Sequence, residues 1–137
     1  MATETAVPGL ANIPALGSYE LIRAVEEGLP TDSLEVLKQR GLTFTEIADL
    51  VIPPRTLKHR KARGERLTTE ETERFFRVLR VLDLGEKVFG KRERLLSWLR
   101  GPDFEIPNRT AMSLLTTEAG AQAIVGQLWA VAEGIYQ

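Results

Sequence analysis

The chain has 137 residues, 43% hydrophobic and 27% charged, with a formal net charge of -1; that length fits one domain or two small ones packed closely, and the composition is too apolar for a disordered chain. No apolar run reaches the roughly 18 residues that span a bilayer, and the opening MATETAVPGL lacks a basic stretch leading into an apolar core, so a cytoplasmic protein is expected. Zero cysteines exclude disulfides, thiolate zinc sites and a cysteine nucleophile.

Residues 1–17 hold Pro8, Gly9, Pro14 and Gly17 without a sustained period, which reads as a flexible or extended N-terminal arm. Ser18 then caps a helix with Leu21, Ile22 and Val25 on one side, ended by Gly28 and Pro30. Asp32, with Glu35 three residues on, leads a second helix that turns Leu34 and Leu37 inward and stops at Gly41. Thr43 and Glu46 have the spacing of a capping box, so a short helix is expected from Phe44 to Val51. Leu50-Val51-Ile52 is apolar, but Pro53 and Pro54 follow at once, which makes it a buried turn rather than a strand. Pro54 suits a helix's first turn and Gly64 its left-handed end, giving a helix over 54–63.

Thr68 and Glu71 repeat the capping box and open a longer helix to about Leu84, with Phe75, Val78, Leu79 and Leu82 on its core face. Past Gly85 the sequence predicts a short helical turn to Phe89, then a helix near 91–100 ended by Gly101-Pro102, then a proline-interrupted connection. Thr116 or Thr117 caps the last helix. The expected fold class is all-α, divided into an arm (1–17), a first domain (18–84) and a second (85–137).

The charge is uneven. Residues 1–54 carry 3 basic and 8 acidic side chains, residues 55–94 carry 13 and 7, and residues 95–137 carry 2 and 4. Six Lys or Arg fall between Arg55 and Arg66, opposed only by Glu65. Two short helices joined by a tight turn, the second cationic, with a third packed behind, form the layout of a helix-turn-helix unit. In such a unit Arg55, Thr56, His59 and Arg60 would offer base-edge or phosphate contacts, Lys58, Lys61 and Arg63 would hold phosphates, and Leu57 would anchor the helix inward. The junction departs from the common pattern, with Pro53-Pro54 in place of a glycine. A basic helix can also simply solvate one face, so the rival reading is a protein-interaction adaptor whose helix-turn-helix is scaffold and binds no DNA.

From Thr117 to Gln137 there is no Lys or Arg. Ile124, Leu128, Val131 and Ile135 form one apolar stripe, and Ala121, Val125, Trp129, Ala132 and Tyr136 form a second beside it. Together they exceed the sector a surface helix needs for its own core, so that helix is either buried deep or meets another chain, and the small size of the protein favours an interface. His59, the sole histidine, has no partners for a metal site or a catalytic triad. The glutamates at 70, 71 and 73 are explained by a helix's first turn, which favours anions. No metal, cofactor or catalytic residue is expected.

Taken in order, Arg55-Thr56-Leu57, Arg60, Leu67, Glu70, Glu71, Arg74, Arg77, Val88-Phe89-Gly90, Trp98-Leu99, Pro107-Asn108, Leu114-Leu115, Gly120, Val125 and Gly134 resemble the Xre/MbcA/ParS-type antitoxins over about residues 40–137. The resemblance implies an all-helical antitoxin: an Xre-like helix-turn-helix that binds its own operator, followed by a C-terminal toxin-binding domain; operator reading by two recognition helices then leads to the expectation of a homodimer. Its partner would be a RES-domain toxin that consumes NAD, with the antitoxin covering the toxin's active site. On that resemblance and the apolar tail, the toxin-binding residues are expected to be Trp129, Glu133, Gly134, Ile135, Tyr136 and Gln137. The family pattern usually reads Met or Pro then Leu-Asp near Ala111-Met112-Ser113-Leu114, and this chain departs from it there.

Overall fold

The structure is a computed structural model that describes residues 14–134. It is all-α, with no strand among the described residues. Described residues up to Phe76 form one compact unit and those from Arg77 onward a second. Residues 1–13 of the expected arm, and the expected toxin contacts Ile135, Tyr136 and Gln137, lie outside the described residues.

In the first unit, α1 (Tyr19–Glu27) begins where the Ser18 hydroxyl accepts from the Leu21 N–H at 3.2 Å. Leu21 and Val25 are half-buried, but Ile22 is 45% exposed, so the three expected inward residues do not share a buried face. A 3₁₀ turn at Thr31–Leu34 leads into the short α2 (Glu35–Gln39), which buries Val36 and Leu37. Helix α3 (Phe44–Leu50) carries the predicted capping box: Thr43 Oγ1 accepts from the Glu46 N–H, and Glu46 Oε1 accepts from the Thr43 N–H. Leu50, Val51 and Ile52 form the buried turn the two prolines dictate, and Arg74 Nε donates to the Val51 carbonyl at 2.9 Å. Helix α4 (Pro54–Arg63) follows, with Pro54 in its first turn.

Helix α5 (Thr69–Phe89) runs unbroken through Gly85, correcting the expected stop near Leu84. Gly85 is a packing residue rather than a terminator: a Cβ there would collide with the Leu95 side chain. A helix interior tolerates the entropic cost of glycine when another element must come that close. Phe75, Val78, Leu79 and Leu82 are fully buried as the spacing predicts, and Phe76 and Val81 are buried as well.

In the second unit, α6 (Arg92–Arg100) contributes Leu95, Leu96 and Leu99 to the core. The connection that follows bridges Pro102 to Thr110 and ends in a 3₁₀ turn, Met112–Thr116, which the sequence did not reveal. That turn packs on α7 (Glu118–Ala132), whose cap is Thr117: its hydroxyl accepts from the Gly120 N–H at 3.0 Å. Arg77, at the start of this unit's part of α5, donates from Nη1 to the Thr116 carbonyl and pairs from Nε with Glu118 at 3.2 Å.

Candidate nucleic-acid interface and partner-binding surface

Both ends of α4 are set by local chemistry. Proline restricts the residue before it to extended backbone, and Pro53 sits at φ -62°, ψ 149°, so the chain enters the helix from one direction. At the other end Gly64 adopts φ 67°. Its N–H reaches the Lys61 carbonyl, and the Glu65 N–H reaches that of Arg60 at 2.9 Å. This is the Schellman arrangement, which satisfies the helix's last carbonyls.

Arg55, Lys58, His59, Lys61 and Arg63 are exposed, whereas Thr56, Leu57 and Arg60 are half-buried. Leu57 faces Phe44 and Ile47 across a shallow groove of about 240 Å³, with Lys61 at its rim. No ion pair or side-chain hydrogen bond engages Arg55, Lys58, His59 or Lys61 among the described residues. Arg63 approaches Glu65 only at 4.0 Å with both side chains solvated, a pairing worth ~0–1 kcal/mol. The helix thus presents solvent-exposed cations, the form of charge that exchanges counterions when it meets a polyanion.

Arg60 stands apart from its neighbours. Its Nε and Nη2 bind the two Glu71 oxygens at 3.0 and 2.9 Å, and its Nη1 reaches Glu65 at 3.3 Å. The Glu71 side chain is only 6% exposed. It also accepts the Thr68 N–H at 2.8 Å while the Thr68 hydroxyl accepts the Glu71 N–H, so one carboxylate closes the capping box of α5 and grips α4. Burial pushes the Glu71 carboxyl up, but the Arg60 fork and the Thr68 N–H outweigh it and hold the group below the usual carboxylate range. The hydrogen bond to Glu71 holds the Arg60 guanidinium above its ordinary value. The sequence marked Glu71 as half of a capping box; nothing in its spacing revealed the partner 11 residues upstream.

Helix α7 has two characters. Ala121, Ile124, Gln127 and Leu128 are buried, while Ala119, Gln122, Ala123, Gly126, Trp129, Ala132, Glu133 and Gly134 are exposed. No charge lies between Glu118 and Glu133. Trp129 is 54% exposed, and a Cβ at Gly126 would meet nothing within 4 Å. Between Glu118 and Glu133 the exposed side is therefore uncharged, mostly small-residued and carries one indole. The sequence did not foresee buried Gln127, whose amide donates to Asp103 Oδ1 at 3.0 Å. Asp103 Oδ2 also accepts from the N–H groups of Glu105 and Ile106, each at 2.8 Å. Burial pushes the Asp103 carboxyl up, but Gln127, those two amides and Arg109 hold it below its usual value.

Residues 20–80 match the family model of the antitoxin Xre-like helix-turn-helix domain, and residues 84–134 match that of the antitoxin Xre/MbcA/ParS C-terminal toxin-binding domain. The chain is 34% identical over 126 residues to a protein named Antitoxin Xre from Pseudomonas putida, covering 91% of this chain and 79% of that one. It is 28% identical over 127 residues to an Antitoxin Xre from Yersinia enterocolitica, covering 90% and 86%.

Proposed function

The chain belongs to the Xre antitoxin family, as an antitoxin of a toxin-antitoxin system with a helix-turn-helix domain, and from that premise we propose that it represses its own operon and neutralises a RES-domain toxin. The observation that carries the DNA half is the exposed Arg55, Lys58 and Lys61 of α4, which no carboxylate engages among the described residues. Arg55 and Thr56 lie in the helix's N-terminal half, the part that meets base edges in a major groove, with His59 just past its middle; Lys58, Lys61 and Arg63 serve the phosphates. Two recognition helices addressing half-sites one DNA turn apart require a homodimer.

The toxin half is supported by α7. A 54% exposed indole in the last turn of a helix with no charge between Glu118 and Glu133 is the kind of group that anchors an interface. Here it lies in the part of the chain matched by the toxin-binding family model. We place the contact on Trp129, Glu133 and Gly134, continued by Ile135, Tyr136 and Gln137. Covering the toxin's active site there stops it consuming NAD in the cytoplasm.

Two measurements test the reading. Promoter DNA retained with a log-log salt slope steeper than about -4 supports phosphate neutralisation by α4; no retention at low salt refutes it in favour of the adaptor. Purified RES toxin incubated with NAD should stop depleting it once the chain is added in stoichiometric excess; undiminished depletion refutes the toxin half.

A further inference from the structure

We infer that Arg60, although it sits among the DNA-facing cations, is a positioning residue: clamped by Glu71, it fixes the pose of α4 on the start of α5. The inference rests on the DNA reading above for its functional consequence, but its structural content stands without it.

Four observations converge. First, the clamp is bidentate, 3.0 and 2.9 Å, and two parallel N–H···O bonds fix orientation as well as distance. Second, swinging Glu71 out would also break the Thr68 N–H bond through which the same carboxylate caps α5. Third, the Arg60 carbonyl accepts the Glu65 N–H that closes the end of α4, so backbone and side chain of one residue secure the whole 60–71 connection. Fourth, Arg66 Nη1 donates to the Gly28 carbonyl at 2.8 Å and the Leu67 N–H to that of Leu29 at 2.9 Å, anchoring the intervening chain to the end of α1. By contrast the opening of α4 has no side-chain cap. The side-chain hydrogen bonds that hold the helix are therefore in its C-terminal half, through Arg60, and add to the entry direction that Pro53 and Pro54 impose.

A guanidinium already neutralised by a buried carboxylate releases no counterion on meeting DNA, so Arg60 should be missing from the phosphate count while Lys58 and Lys61 are in it. Glu71→Gln discriminates sharply between the two roles. It adds one net positive charge and frees the Arg60 fork; if Arg60 were a phosphate ligand restrained by Glu71, the variant would bind DNA more tightly. The clamp requires the opposite: roughly tenfold weaker binding to the promoter duplex, with the salt slope unchanged to within half a unit. Arg60→Lys keeps the charge but loses the fork and should weaken binding similarly, again at constant slope, whereas Lys58→Ala should make the slope shallower by about 1.

Amide hydrogen exchange over 54–63 in the DNA-free chain gives a second readout. Both clamp variants should exchange those amides at least several-fold faster than the parent, and Lys58→Ala should not. Tighter DNA binding by Glu71→Gln, or exchange over 54–63 unchanged in both clamp variants, overturns the inference. Failure of the parent chain to bind promoter DNA sinks the DNA reading instead, and the exchange experiment then still decides whether the clamp holds α4.

Discussion

Replacing Trp129 by alanine separates a surface anchor from a core residue. Trp129 is 54% exposed. A tryptophan contributes on the order of 200 Å² of buried area when fully enclosed, so about 100 Å² is left for a partner to cover. At about 25 cal/mol per Å², that is ~2.5 kcal/mol, a roughly 60-fold loss of toxin affinity. The free chain keeps its core because the inward residues of α7, Ile124 and Leu128, are untouched and fully buried. Titration calorimetry with an inactivated cognate toxin would read the affinity, and circular dichroism at the same temperature would verify the fold. Leu128→Ala is the internal comparison: it should cost ~2–5 kcal/mol of stability by opening a cavity, whatever the toxin does. Toxin affinity within threefold of the parent for a folded Trp129→Ala chain would refute the placement of the anchor.

Further consequences follow for the glycines of α7 and for acid stability. Gly120→Ala would drive its Cβ into the Leu114 backbone carbonyl; the chain should lose on the order of 2–4 kcal/mol, read as a lower thermal midpoint. Gly126→Ala has nothing within 4 Å to strike, so it should stabilise the free chain by ~0.5–1 kcal/mol while weakening whatever packs on that face. The carboxyls of Glu71 and Asp103 both titrate below their ordinary values when folded. Their stabilisation is therefore complete above the unfolded values of about 4 and is lost as pH falls through the folded ones. Chemical denaturation from pH 6 to 3 should show that loss, and Glu71→Gln and Asp103→Asn should each flatten it; an unchanged profile in both would contradict the network.

Signals carried by neighbouring residues were legible in the sequence. Ser18, the Thr43–Glu46 pair, Pro54 and Gly64 each act through the backbone within one helical turn, and each occupies the role its chemistry demands. The core stripe of α5 was equally plain, because its period needs no knowledge of what it meets. The continuation of α5 through Gly85 was not, since the reason for that glycine is Leu95, ten residues on and in another helix. Ile22 shows the same limit: helical spacing put it with Leu21 and Val25, but only tertiary packing decides how wide a stripe is covered. For the candidate site, the charge of α4 was visible and its distribution of roles was not. Arg60 looks like Lys58 in a string of letters, and the difference lies in a carboxylate across a turn. Likewise Gln127 is polar at a position that packing buries, and its partner Asp103 lies 24 residues away.

The account depends on α4 and α7 being separate docking faces. The most direct measurement is made on the Lys58→Ala/Lys61→Ala double variant, with promoter DNA and cognate toxin titrated in parallel. The expected result is a log-log salt slope shallower by about 2 for DNA, with toxin affinity unchanged. An unchanged DNA slope, or a parallel fall in toxin affinity, would contradict it.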